Sequence, residues 1–72
     1  MQLTAKETRT AKRLAKRLRK LRGTRTLRDV AAEAGLYHSL LSRYETGKQI
    51  PGALMLRRLA IVYGKTTDEL LT

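Results

Sequence analysis

Apolar residues return every three or four positions along most of the chain, the period of helices with one buried side. From residue 5 to residue 22 the stripe is Ala11, Leu14, Ala15, Leu18 and Leu21. Thr4 and Glu7 form a Thr-x-x-Glu capping box that starts this helix at Ala5, and Gly23 ends it near Arg22. Residues 26–48, TLRDVAAEAGLYHSLLSRYETGK, then predict two short helices joined by a tight turn at Gly35. Val30, Ala31, Ala34, Leu36, Leu41 and Tyr44 fall at the buried positions. A small residue is needed at Ala31, because the second helix crosses close above it, and glycine at position 35 admits the positive φ of the turn. Thr26 with Asp29 starts the first of these helices; the second runs from His38 to about Thr46 and closes at Gly47. Tyr37 stands at its N-cap, a place tyrosine fills poorly. Either Ser39 takes over the cap or the Tyr37 ring lies along a sugar-phosphate chain. After the loop Lys48-Gln49-Ile50-Pro51-Gly52, a helix from Ala53 to Tyr63 buries Ala53, Leu56, Leu59, Ala60 and Tyr63 and stops at Gly64. Thr66 and Glu69 make another capping box, launching a last turn with Leu70 and Leu71. The expected fold is all-α, a compact bundle of five helices.

A helical wheel of residues 38–46 divides that segment by chemistry. Leu40, Leu41, Tyr44 and Glu45 share one side; His38, Ser39, Ser42, Arg43 and Thr46 share the other. The second set offers hydrogen-bonding groups with little carbon bulk, which suits a face laid against base edges in a major groove. Solvated surface helices more often carry Glu and Lys there. Leu54 and Ile61, with Arg58 between them, form a separate apolar side that a monomer does not need.

Charge strengthens this picture. The 72 residues carry a formal charge of +10, and ten of the sixteen cations lie in residues 1–25 against one acidic group, Glu7. The first helix therefore carries the electrostatic load, with Arg9, Arg13, Lys16, Arg17 and Lys20 three or four residues apart on its outer face. A polyanion is the natural partner. One domain is expected over 1–72, with residues 1–10 as a flexible basic extension that orders when phosphates approach. Without cysteine there is no disulfide or thiolate metal site, and the lone His38 builds neither a metal site nor a histidine-based triad. No cofactor is expected. An enzyme is disfavoured, since the six carboxylates are taken by caps, ion pairs and turns and no phosphate-cradling glycine loop is visible. Neither a bilayer-spanning run nor a secretory signal is present, so the expected location is cytoplasmic. A basic amphipathic helix can also lie on an anionic membrane, but this one lacks Trp and Phe and its apolar stripe is needed to close the core. Structured RNA fits the charge alone; exposed aromatics for stacking are missing apart from Tyr37.

The run TLRDVAAEAGLYHSLLSRYETGKQIP, followed by LRRLAIVYG and TTDELL, resembles the Cro and phage-repressor class of helix-turn-helix proteins, the lambda-repressor-like fold, over Thr26 to Leu71. The resemblance implies a five-helix bundle and a transcriptional regulator, chiefly a repressor, acting as a homodimer on palindromic duplex DNA in a bacterial, phage or plasmid setting. It assigns base contacts to Tyr37, His38, Ser39 and Arg43. Ser42, Thr46, Lys48 and Gln49 correspond to positions that meet phosphate or adjacent bases. Many relatives begin the second helix with a phosphate-binding Gln; this chain has Leu27, and Arg28 is placed to reach the same strand. Arg9, Arg13, Lys16 and Arg17 add phosphate contacts through the unusually basic first helix. Glu45 corresponds to a Glu that pairs with an Arg at the end of the first helix, here Arg22, although the link Gly23 to Arg25 is shorter than the family's usual spacing. Leu54, Ile61, Leu70 and Leu71 are the expected dimer surface. The competing reading is an antitoxin or adaptor whose Leu54 and Ile61 side binds another protein.

Overall fold

The computed structural model describes residues 3–72; Met1 and Gln2, the first two residues of the expected extension, lie outside the described residues. Five α-helices and no strand are present among the described residues: α1 (Ala5–Arg22), α2 (Leu27–Ala34), α3 (His38–Glu45), α4 (Ala53–Tyr63) and α5 (Thr67–Leu71). The architecture is all-α, as the periodicity predicts. Residues 5–10 continue α1 without a break. The Thr4 box is complete: Glu7 N–H donates to Thr4 Oγ1 at 3.2 Å and Thr4 N–H donates to the Glu7 carboxylate at 3.0 Å. Thr66 and Glu69 close the same pair of bonds ahead of α5. Thr26 caps α2 by accepting from Asp29 N–H at 3.0 Å, with no reciprocal bond from the shorter Asp side chain.

One core holds the helices together. Leu14 and Leu18 of α1, Val30, Ala31 and Ala34 of α2, Leu41 and Tyr44 of α3, Leu56, Leu59 and Ala60 of α4, and Leu70 of α5 form a single buried cluster. α1 packs on α3 and α5, while α2 packs on α3 and α4. Two expected positions are corrected. Ala53 is exposed at the first turn of α4, where the helix has only just left the loop. Leu70 is 1% exposed: α5 is too short to offer two apolar sides, and Leu70 plugs the bundle between α1 and α4 while Leu71 faces out. Leu70 is thus a core residue and does not belong to a dimer surface.

The turn between α2 and α3 rests on Gly35, at φ 74° and ψ 34°. There Gly35 N–H donates to Ala32 O at 3.2 Å and Leu36 N–H to Ala31 O at 2.9 Å, a paired closure that satisfies the last carbonyls of α2 and reverses the chain. A side chain at this φ costs about 1 kcal/mol or more. Ala31 is 2% exposed and Leu41 fully buried where α2 packs on α3, as the small residue at position 31 is expected to allow.

Candidate nucleic-acid interface

The inward side of α3 is fixed on three sides. Leu41 and Tyr44 enter the core, and Glu45, 3% exposed, is held from α1. Arg22 Nε–H donates to both Glu45 carboxylate oxygens, at 2.9 and 3.1 Å, and Arg19 donates to the Glu45 carbonyl. The carboxylate's hydrogen bond raises the Arg22 pKa above its ordinary value. The short link after α1 does not prevent the pairing. Instead Arg22 Nη1 donates to Arg25 O at 2.7 Å, so the link folds over the side chain that holds Glu45. Arg25 in turn stands 5.5 Å over the Tyr63 ring and 3.6 Å from Glu33.

With that side anchored, His38, Ser39 and Arg43 are left exposed on the outer side of α3, and Ser42 is half-buried beside them. Thr46 is exposed but closes the helix: its hydroxyl donates to Ser42 O at 2.9 Å and lies 3.3 Å from Arg43 O, so its proton serves the last turn. Tyr37 is 83% exposed and its side chain makes no capping bond. Ser39 does not take over that role either, so the first amides of α3 carry no side-chain cap. Those amides form the positive end of the helix dipole. Lys48 and Gln49 are exposed just past α3, and Arg28 is exposed in the first turn of α2.

Two features escape the sequence pattern. Arg58 of α4 donates to Gly35 O at 3.1 Å, bracing the turn from the far side. The signal available was physical rather than periodic: a reversing chain exposes carbonyls, and a half-buried Arg within an apolar helix needs acceptors. Lys12 is the second. The Gly47 turn lies close against α1, an ideal Cβ on Gly47 falling 3.7 Å from Lys12 Cα, so Lys12 is the α1 cation beside the exit of α3.

The α1 cations expected to meet phosphate do not all lie together. Arg13, Lys16 and Arg17 line a groove with Lys20, Leu21 and Lys65, on the side of α1 that meets α5. Arg17 there donates to Thr72 O at 2.8 Å. Arg9 is exposed on the outer surface of α1. Leu54 and Ile61 are 61% and 70% exposed, and Leu71 is 38% exposed. Among the described residues, no cluster of His, Asp or Glu is placed to hold a metal ion, and no helix is long and apolar enough to cross a membrane.

Comparison with known proteins agrees with this geometry. No curated protein is found as a relative of the chain. The family model for a helix-turn-helix domain matches residues 13–72, which includes α2, the Gly35 turn, α3 and the helices that brace them. The chain therefore belongs to the helix-turn-helix domain family, a DNA-binding fold.

Proposed function

We propose that this protein is a sequence-specific regulator of the Cro and phage-repressor class, acting as a homodimeric repressor on palindromic duplex DNA in the cytoplasm of a bacterial, phage or plasmid host. The observation that carries the proposal is the division of α3: one side is immobilised by Leu41, Tyr44 and the Arg22–Glu45 pair, and the opposite side presents His38, Ser39 and Arg43 to solvent. A rod held that firmly delivers its side chains to base edges at little entropic cost. Arg43 reads a guanine through O6 and N7, His38 and Ser39 contact neighbouring bases, and Tyr37 meets the base or sugar that precedes them. Arg28, Ser42, Lys48 and Gln49 set the register on phosphates, joined by the uncapped amides of α3. Thr46 completes α3; its hydroxyl proton goes to Ser42 O, which leaves that side chain no donor for a phosphate. The exposed Leu54, Ile61 and Leu71 pair two copies; each is 31 Å in its longest dimension, compatible with recognition helices about 34 Å apart on successive major grooves.

Selection from random duplexes, followed by binding titrations, tests the reading. A preferred two-fold symmetric site is expected, and Arg43→Ala relaxes preference at one base position per half-site by about 1 to 3 kcal/mol while leaving the salt dependence nearly unchanged. Equal affinity for every duplex would overturn it. Recovery of a stoichiometric foreign protein that masks Leu54, in place of self-association, would support the antitoxin or adaptor reading.

A further inference from the structure

The α5 side of α1 carries a cationic surface separate from the Arg19–Arg22 flank that meets Glu45. Arg13, Lys16, Arg17 and Lys20 of α1 meet Lys65, which follows Gly64 in the α4–α5 turn, around a shallow groove whose apolar lining is the half-buried Leu21. Four of these cations are drawn from successive turns of one helix and the fifth is delivered from another element by the tertiary fold. Arg17 is also bonded to Thr72 O, which ties the groove to the end of α5. Glu69, whose charge is felt by Lys65 and Arg17, accepts from Thr66 N–H at 2.9 Å in the cap of α5 and forms no ion pair with either cation. Arg13, Lys16, Lys20 and Lys65 have no ion pair among the described residues.

We propose that this groove is a second phosphate-backbone site, which takes up a separate duplex DNA segment while α3 occupies the first. The inference rests on the DNA-binding reading above. Its geometry follows from α1 having two flanks. Arg19 and Arg22 reach Glu45, and Lys12 adjoins Gly47, so that flank belongs to α3. Arg13, Arg17 and Lys20 lie roughly a third of a turn further round the helix, against α5 and Lys65. Residues 13 to 20 span about 10 Å along the helix axis, the axial rise of about three base steps at about 3.4 Å each, which four successive phosphates of one strand bound. The lining chemistry favours phosphate over an acidic protein. Protein interfaces are anchored by apolar and aromatic side chains and are poor in Lys at their centre, whereas a phosphodiester chain needs charge and no apolar anchor.

The experiment is two-duplex capture. One random-sequence duplex is fixed to beads, the protein is bound to it at saturation, and a second dye-labelled duplex is added at two salt concentrations. Wild-type protein retains the second duplex, and Lys20→Gln/Lys65→Gln lowers that retention about tenfold or more at the lower salt while affinity for the first duplex changes less than about twofold. Lys20→Arg/Lys65→Arg restores capture, and an unchanged helical circular dichroism spectrum of the Gln variant excludes unfolding as the cause. Capture indifferent to the double substitution overturns the proposal, as does an equal fall in affinity for the first duplex, which would place the groove on the same DNA. Displacement of the second duplex by polyglutamate at matched charge, with no such effect on the first, would overturn it in favour of an acidic peptide. Failure to bind even the fixed duplex would instead overturn the DNA-binding reading itself.

Discussion

The two flanks of α1 carry the same kinds of side chain and put them to opposite use. Facing α3, Arg19 and Arg22 are drawn into the fold by Glu45, one through its carbonyl and the other through its buried carboxylate. Facing α5, Arg13, Lys16 and Lys20 stay exposed around Lys65. The same division runs through the whole molecule. Arg17, Arg19, Arg22, Arg25 and Arg58 all bond or pair with protein groups, whereas no lysine does so among the described residues. A planar guanidinium can serve a carbonyl and a carboxylate at once, as Arg22 does; an ammonium is more strongly hydrated and gives up water reluctantly. Net charge therefore overstates what is available to a polyanion, since five of the ten arginines are engaged with protein groups.

The contrast breaks most visibly at Glu45. Glu45→Ala leaves Arg22 without its carboxylate and opens a polar gap beneath α3; because the Arg22 side chain keeps 22% exposure and can turn to water, the expected loss is about 2 to 3 kcal/mol, less than for a fully buried pair. Urea denaturation measures it, and a loss below about 0.5 kcal/mol would show that the pair does not hold α3. Arg22→Lys keeps the charge but abandons the simultaneous bonds to Glu45 and Arg25, for an expected loss of about 1 kcal/mol in the same assay. On the other flank, Arg13→Gln is expected to move stability by no more than about 0.5 kcal/mol in either direction, since relief of like-charge repulsion opposes any lost packing. Its visible effect is a shallower salt dependence of total duplex binding. The smallest effect comes with acid. Hydrogen bonds from the Thr4 and Thr66 N–H groups lower the pKa values of Glu7 and Glu69 below the ordinary 4.5. Stability from the two boxes is therefore complete above pH 4.5 and fades as pH falls through the lowered values. Amide exchange at the first turns of α1 and α5 should quicken in that range while the centre of α3 stays protected, and Glu7→Gln should remove the acid dependence at α1 alone.

Much of the fold was legible because its signals are local. The glycines at 23, 35, 47 and 64, all at positive φ, mark where helices stop, and the Thr caps mark where three of them start. The outward set on α3 was legible for the same reason, since a wheel needs only the sequence once the buried side is known. Leu70 was misplaced because a five-residue helix has too few positions to define a side by period alone. Arg58 was missed because its acceptor, the Gly35 carbonyl, lies on another element.

Order, approximate length and the inward faces of α1, α2 and α3 were determined by the sequence alone, since caps, breakers and a three-to-four-residue period act within a few residues of one another. The assignment of individual charges was decided only by tertiary structure. Which arginine braces the turn at Gly35 and which cations collect around Lys65 depend on distances between helices, and a single chain read in order contains no measure of those; the Arg22–Glu45 pair was expected only through the family resemblance.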